Sequence, residues 1–268
     1  MIGPIRKGWL AALCALPASA LAYPGGTPNY VTDVAPFCTT CHSSVSVEQL
    51  GGVPEQRANL ELAANKHLAK IEVAGEGSPY GELDPAQRRA LIAAIRQIDQ
   101  NSEVRILAPL SVNAGQVIDV TVEARGGGGP VVGIALVDSN QRWQASPAPS
   151  RGWQVLEAPV VMGPDGQPQT TFIDRRNPEL SPAISYVNIS GIKADPVQNK
   201  YDEVSVTYRL RAPARAGTYP LAAVFLYGTE KASPHGAVET INGTRPLGGR
   251  AANSGRVRFS EVLQVQVK

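Results

Sequence analysis

Five consecutive residues, Cys38-Thr39-Thr40-Cys41-His42, have types and a spacing that specify a reaction. Two thiols separated by two residues can each add to a vinyl group of a haem, forming two thioether links. An imidazole immediately after them can turn to the iron as its proximal ligand. The covalent links retain the haem without a large burying pocket. Cys-x-x-Cys alone has other uses: a redox dithiol, a structural disulfide, or half of a zinc site. A thioredoxin-like dithiol sits between a strand and a helix, and residues 24–37 do not read as a strand. A zinc site needs four ligands, and His42 following the second cysteine favours haem.

Residues 1–22 read as an export leader. Arg6 and Lys7 are basic, Trp9 to Leu16 is a short apolar run, and Ala18-Ser19-Ala20 and Ala20-Leu21-Ala22 are small-residue cleavage patterns. The apolar run falls short of the roughly 20 residues that span a bilayer. Cys14 leaves with the leader, so Cys38 and Cys41 are the cysteines of the mature chain. That compartment, periplasmic or secreted, is where bacterial haem attachment of this kind takes place. Loss of Arg6 and Lys7 from 25 basic residues balances the 23 acidic ones, which excludes the basic footprint of a nucleic-acid binder. The 268 residues suffice for one or two domains with a substantial core.

The elements that must position the motif change character along the chain. The spacing predicts a helix over 54–74, opened by Pro54, with Leu60, Ala64, His67, Ile71 and Ala74 on one face and Gly75-Glu76-Gly77 as its end. A second helix is predicted over 85–100: Asp84 is its N-cap, Pro85 its first residue, Gln87 completes a capping box, and Leu91, Ile95 and Ile98 line one side with Ile92 beside them. From about residue 103 short strand-like runs recur: 117–123, 131–137, 169–173, 184–189, 204–210, 219–227 and 257–267. Gly/Pro/Asn/Asp clusters such as 126–130 and 213–217 separate them. The Leu107–Gly115 stretch reads as the first strand and turn of an Ig-like module. The fold class is therefore α+β and multidomain: a small α-helical domain over 23–102 and an all-β Ig-like sandwich over 103–268.

The motif, together with Gly81-Glu82-Leu83-Asp84-Pro85-Ala86-Gln87-Arg88-Arg89-Ala90-Leu91-Ile92-Ala93-Ala94-Ile95-Arg96, resembles the class I cytochromes c over roughly residues 30–100. The resemblance implies that the 85–100 helix packs against the helix bearing the haem motif. In that family a Met shortly before this helix supplies the second axial ligand; here Gly77-Ser78-Pro79-Tyr80 occupies the place. A second resemblance, carried by the Pro-Gly-Gly segment, the Cys-x-x-Cys-His-Ser run and the strand pair from Ala212-Pro213 through Tyr227, is to bacterial secreted modules of the reelin-like type.

His67 is the leading candidate for the sixth iron ligand, because its ring lies on the apolar face of its helix and imidazole binds haem iron well. The competing reading is a core histidine that is hydrogen-bonded and nothing more. His235, in a loop, Met162, the one methionine of the mature chain, and Tyr80 are the other candidates, and an open position is the last. Trp143 and Trp153 read as aromatic anchors of the sandwich, with a docking surface as the alternative. Gly126–Gly129 is a turn rather than a phosphate loop, since a strand follows it. No Ser/His/Asp or paired-carboxylate constellation is present.

These observations lead to one expectation with two alternatives. The expectation is an exported monohaem c-type cytochrome, not an enzyme, carrying one covalent haem c on Cys38, Cys41 and His42. It exchanges electrons with a redox partner protein and docks through the sandwich. The alternatives are a haem-based ligand-binding or sensory protein with an open iron site, and a secreted structural or adhesion module with a Cys38–Cys41 disulfide and no haem.

Overall fold

The computed structural model describes residues 63–78, 80–139, 146–169, 185–230, 237–240, 243–246 and 255–268. Residues 1–22, read above as a leader, Cys38, Cys41, His42, Trp143 and His235 lie outside them, as do residues 54–62 of the first expected helix. The described part is mostly β-sandwich, with two α-helices preceding it.

Helix α1 spans Ala63–Glu72 and helix α2 spans Pro85–Gln100. The second coincides with the expected bounds because its start is chemically specified. The Asp84 carboxylate accepts from the backbone N–H of Ala86 at 2.7 Å and of Gln87 at 2.8 Å, and Gln87 accepts in return from the Asp84 N–H at 2.9 Å. These bonds satisfy donors that the first turn leaves without intrahelical partners. Leu91, Ala94, Ile95 and Ile98 form the buried face of α2. Leu91 and Ile95 pack with Ile71 and Ala74 from the α1 side, and with Tyr80 and Leu83 from the connection. Ile98 faces the other way in function: it belongs to the interior of the sandwich.

The first sheet runs β1 (Glu103–Leu107), β3 (Val117–Arg125), β10 (Glu203–Arg211), with β5 (Gln154–Val155) and β6 (Val160–Met162) both along the far side of β10. The second runs β2 (Ser111–Val112), β15 (Leu263–Val267), β11 (Gly217–Gly228), β4 (Gly128–Val137), β7 (Tyr186–Ser190), with β14 (Arg256–Phe259) also on β11. All these pairings are antiparallel except β2 with β15. Two small hairpins, β8 (Ala194–Asp195) with β9 (Lys200–Tyr201) and β12 (Ala237–Thr240) with β13 (Gly243–Pro246), form separate two-stranded sheets.

Alternation sets the inner face of the first sheet. Ile118, Val120, Val122 and Ala124 of β3 point inward, as do Val204, Val206, Tyr208 and Leu210 of β10. The second sheet is different: β11 is apolar on both faces. Leu221, Ala223, Phe225 and Tyr227 enter the core between the sheets. Ala222, Val224 and Leu226 join a separate cluster with Ala135, Val137, Tyr186 and Val257. A strand buried on both faces reads as a continuous hydrophobic run, and Leu221–Tyr227 does so.

Two sequence expectations change here. The single run expected over 257–267 is two strands, β14 and β15, which pair with successive halves of β11. Ser260 makes the break: its N–H donates to Ala223 O at 2.9 Å while its Oγ accepts from Ala223 N at 2.8 Å. The first strand is β1, which ends at Leu107, and of residues 108–115 only Ser111–Val112 is strand. Of the expected 169–173 strand, Gln169 alone is described, and its side-chain amide brackets Ser190 by donating to Ser190 O and accepting from Ser190 N, both at 2.9 Å.

The glycine turn after β3 carries the chain from one sheet to the other. Gly126 and Gly127 have φ of 83° and 70°, which L side chains rarely adopt. A Cβ on Gly127 would lie 2.6 Å from the Tyr227 Cβ. The Gly127 N–H donates to Ser102 Oγ at 2.8 Å, and that hydroxyl donates to Ile98 O at 2.6 Å. The end of α2, the start of β1 and the turn into β4 are thus tied at one point.

Candidate functional site

His67, the residue singled out for iron, is fully buried at 0% exposure, as its place on the apolar face of α1 predicts. Its surroundings are polar. Its Nε2 lies 2.9 Å from Glu230 Oε1 and 2.8 Å from the Tyr80 hydroxyl. On the other side of the ring, the Arg256 guanidinium donates from Nη2 to Nδ1 at 2.9 Å. Both ring nitrogens are therefore committed to protein partners. For iron ligation either nitrogen would first have to give up a buried charged partner, Glu230 at Nε2 or Arg256 at Nδ1. Of the readings weighed from sequence, the geometry is that of the hydrogen-bonded core histidine.

The partners come from distant parts of the chain. Glu230 follows β11, and Arg256 opens β14, where it sits opposite Tyr227 in the strand register. Tyr80 lies in the α1–α2 connection and donates to Glu230 Oε1 at 2.5 Å. Thr229 donates to the other oxygen, Glu230 Oε2. Arg256 donates through Nε to Asp99 Oδ2 at 3.1 Å, and the Tyr227 hydroxyl donates to Asp99 Oδ1 at 3.1 Å. Asp99 stands near the end of α2. The result is a continuous chain from Asp99 through Arg256 and His67 to Glu230, with Tyr80, Thr229 and Tyr227 as side branches.

Charges taken out of water are tolerable only when they are paired and hydrogen-bonded. Glu230 meets this condition. Burial pushes its carboxyl up, but the charge that His67 carries when protonated and hydrogen bonds from His67, Thr229 and Tyr80 more than offset that and hold it down at about 2. Tyr80 is pushed far above the usual tyrosine range, by burial first and then by the Glu230 charge, so its hydroxyl stays a donor. His67, Tyr80 and Glu230 all have 0% exposure, which leaves no atom of the three for a substrate to touch. This cluster ties α1, the helix connection and α2 to β14 and the residues after β11.

The remaining sequence candidates fall elsewhere. Met162 is half-buried in β6, opposite Ser205, in the sheet that contains neither Glu230 nor Arg256. Trp153 is a core aromatic, edge-on to Tyr219 at 6.5 Å between centroids, as the anchor reading predicts. Glu230, Arg256 and Asp99 were not singled out from sequence. Arg256 alternates with Arg258 in a short strand, and Glu230 follows an apolar run at a strand end, so neither position carries a local mark of burial.

An open groove of about 440 Å³ lies on the outer face of the first sheet, among Glu103, Arg105, Glu123, Arg125 and Glu203 and the loop after β6. Its charges pair across and along the strands, Arg105 with Glu103 at 3.1 Å and Arg125 with Glu203 at 3.4 Å. Exposed pairs of this kind contribute little and are the ordinary dress of a solvated sheet. Among the described residues no group of three or more His, Cys, Asp or Glu is placed to hold a metal ion, and no helix is long and apolar enough to cross a membrane.

The chain matches no protein-family model and no curated protein. Among solved structures it is similar to the CARDB domain of a Pyrococcus furiosus protein, crystallised in complex with di-metal ions. The identity is 11% and the TM-score 0.25, over 63% of this chain and 90% of that one. The β-sandwich is established by its own strand pairing and burial.

Proposed function

We propose that this chain is an exported monohaem c-type electron carrier in which the β-sandwich serves as the docking or assembly module. The observation that carries the reading is Cys38-Thr39-Thr40-Cys41-His42 behind an export leader. The donor set suits the group: two thiols for covalent attachment and one imidazole for the proximal face of the iron. A bound haem supplies a ferric/ferrous couple, and the protein sets its potential through ligands, burial and nearby charge. Cys38 and Cys41 would hold the macrocycle and His42 would face the iron. His67 is left out of this assignment because its nitrogens serve Glu230 and Arg256.

The test is to mature the protein in a host with haem-attachment machinery and compare it with Cys38→Ala. The wild type should keep its haem in a denaturing gel, and the variant should lose the two-link spectrum. A colourless wild type, or an unchanged variant, removes the proposal, and colourless protein without free thiols leaves the disulfide-bonded secreted module.

One observation favours a second reading, a ligand-binding haem with an open iron position. His67 and Tyr80, two of the candidate sixth ligands, are both bonded to Glu230. That reading predicts a high-spin reduced spectrum and carbon monoxide binding not limited by loss of a protein ligand. A sharp low-spin spectrum eliminates it.

A further inference from the structure

We propose that the Asp99–Arg256–His67–Glu230 chain is a buried latch that joins the helix pair to the sandwich, and that it locks His67 as the Nε2–H tautomer, outside any iron coordination sphere. The inference does not depend on the electron-carrier reading, since it concerns described residues that stand 25 or more positions beyond the haem motif.

Donor and acceptor inventories dictate the tautomer. A guanidinium has only donors, so the Arg256 Nη2 that lies 2.9 Å from Nδ1 requires a lone pair on Nδ1. The ring proton of neutral His67 is then on Nε2. That atom faces the two groups able to receive it, Glu230 Oε1 at 2.9 Å and the Tyr80 oxygen at 2.8 Å. Tyr80 has already spent its own proton on Glu230, so its oxygen is free to accept. Every donor in this ring of contacts has an acceptor, and the opposite tautomer would set two N–H groups against each other at Nδ1.

The latch follows from which elements these residues occupy. His67 is on α1, Tyr80 on the connection and Asp99 on α2. Glu230, Thr229, Tyr227 and Arg256 belong to β11, the residues just after it, and β14. Each of the three bonds Asp99–Arg256, Arg256–His67 and His67–Glu230 crosses from helix pair to sandwich. Apolar packing also crosses, through Ile98, but that contact anchors only the C-terminal end of α2. Helix α1 bonds to the sandwich side at His67. Breaking a buried, hydrogen-bonded charge pair by deleting one member is strongly destabilising, so loss of Arg256 should release α1 in particular.

Two measurements on the full mature chain decide the matter. The first uses protein carrying nitrogen-15 histidine, haem-loaded and reduced, with His67 identified by the signals missing in His67→Gln. Nδ1 should resonate as a lone-pair nitrogen and Nε2 as a protonated one. The reversed pattern, two protonated nitrogens or an iron-shifted ring overturns the proposal. The second compares hydrogen exchange in wild type and Arg256→Met. Amides of α1 should exchange about a hundredfold faster while those of β10 are unchanged, and an unchanged α1 rate overturns the latch. Should Arg256→Met lose protection throughout, the wild-type nitrogen spectrum decides alone. A colourless protein with the stated nitrogen pattern would remove the electron-carrier reading and leave the latch standing.

Discussion

Replacing Glu230 with alanine removes an acceptor that three buried donors share: His67 Nε2, the Tyr80 hydroxyl and the Thr229 hydroxyl. The hydroxyls can rotate toward other acceptors, but the imidazole N–H is fixed, and Arg256 loses the negative charge at the far side of the ring. Deleting one member of a buried charged network costs about 3–5 kcal/mol. With a urea slope of about 2–3 kcal/mol/M, the unfolding midpoint should fall by roughly 1.5 M. Glu230→Gln is the control. Its carbonyl oxygen still accepts from His67 and Tyr80 and its amide can donate to Thr229, so the cost should be about 1–2 kcal/mol. The pH dependence carries a sign. The carboxyl is lowered from 4.5 to about 2, so its ionised form stabilises the fold above the ordinary value, and that contribution is lost as pH falls from 4.5 toward 2. The Gln variant should lack this part of the acid transition. Urea titrations at neutral pH and across that acid window, followed by tryptophan fluorescence, supply the numbers. If alanine costs under about 1 kcal/mol, or if Gln costs as much as Ala, the reasoning about a satisfied buried charge fails.

Two further outcomes test local chemistry. Asp84→Ala should destabilise by about 1 kcal/mol in thermal melts followed by circular dichroism, with Asp84→Asn recovering most of it; equal melting of wild type and alanine variant would show that the cap contributes nothing. Gly127→Ala and Gly115→Ala separate strain from crowding, since φ is 70° and 69° but a Cβ meets Tyr227 at 2.6 Å only in the first. Gly115→Ala should cost about 1–2 kcal/mol for the left-handed backbone alone, and Gly127→Ala clearly more. Equal losses in urea midpoints would mean that Tyr227 yields without cost.

What the sequence determined is what short-range chemistry controls. The reactive motif is legible because five adjacent residues carry it. Helix α2 is legible to the residue because Asp84, Pro85 and Gln87 satisfy donors within one turn of themselves. Strands β3 and β10 are legible because one face of each is solvated, which imprints a period of two. Burial of His67 followed from the face it shares with Ile71. Where both faces are covered, as in β11, alternation disappears and the sequence shows only that the run is apolar. The break at Ser260 depends on Ala223, 37 residues earlier, and no local pattern announces it. The hydrogen-bond partners of His67 come from tertiary structure alone. Its apolar helix face suits a metal ligand and a buried hydrogen-bonding partner equally well. Its partners Glu230 and Arg256 stand 163 and 189 positions away and become neighbours only when β11 and β14 pair.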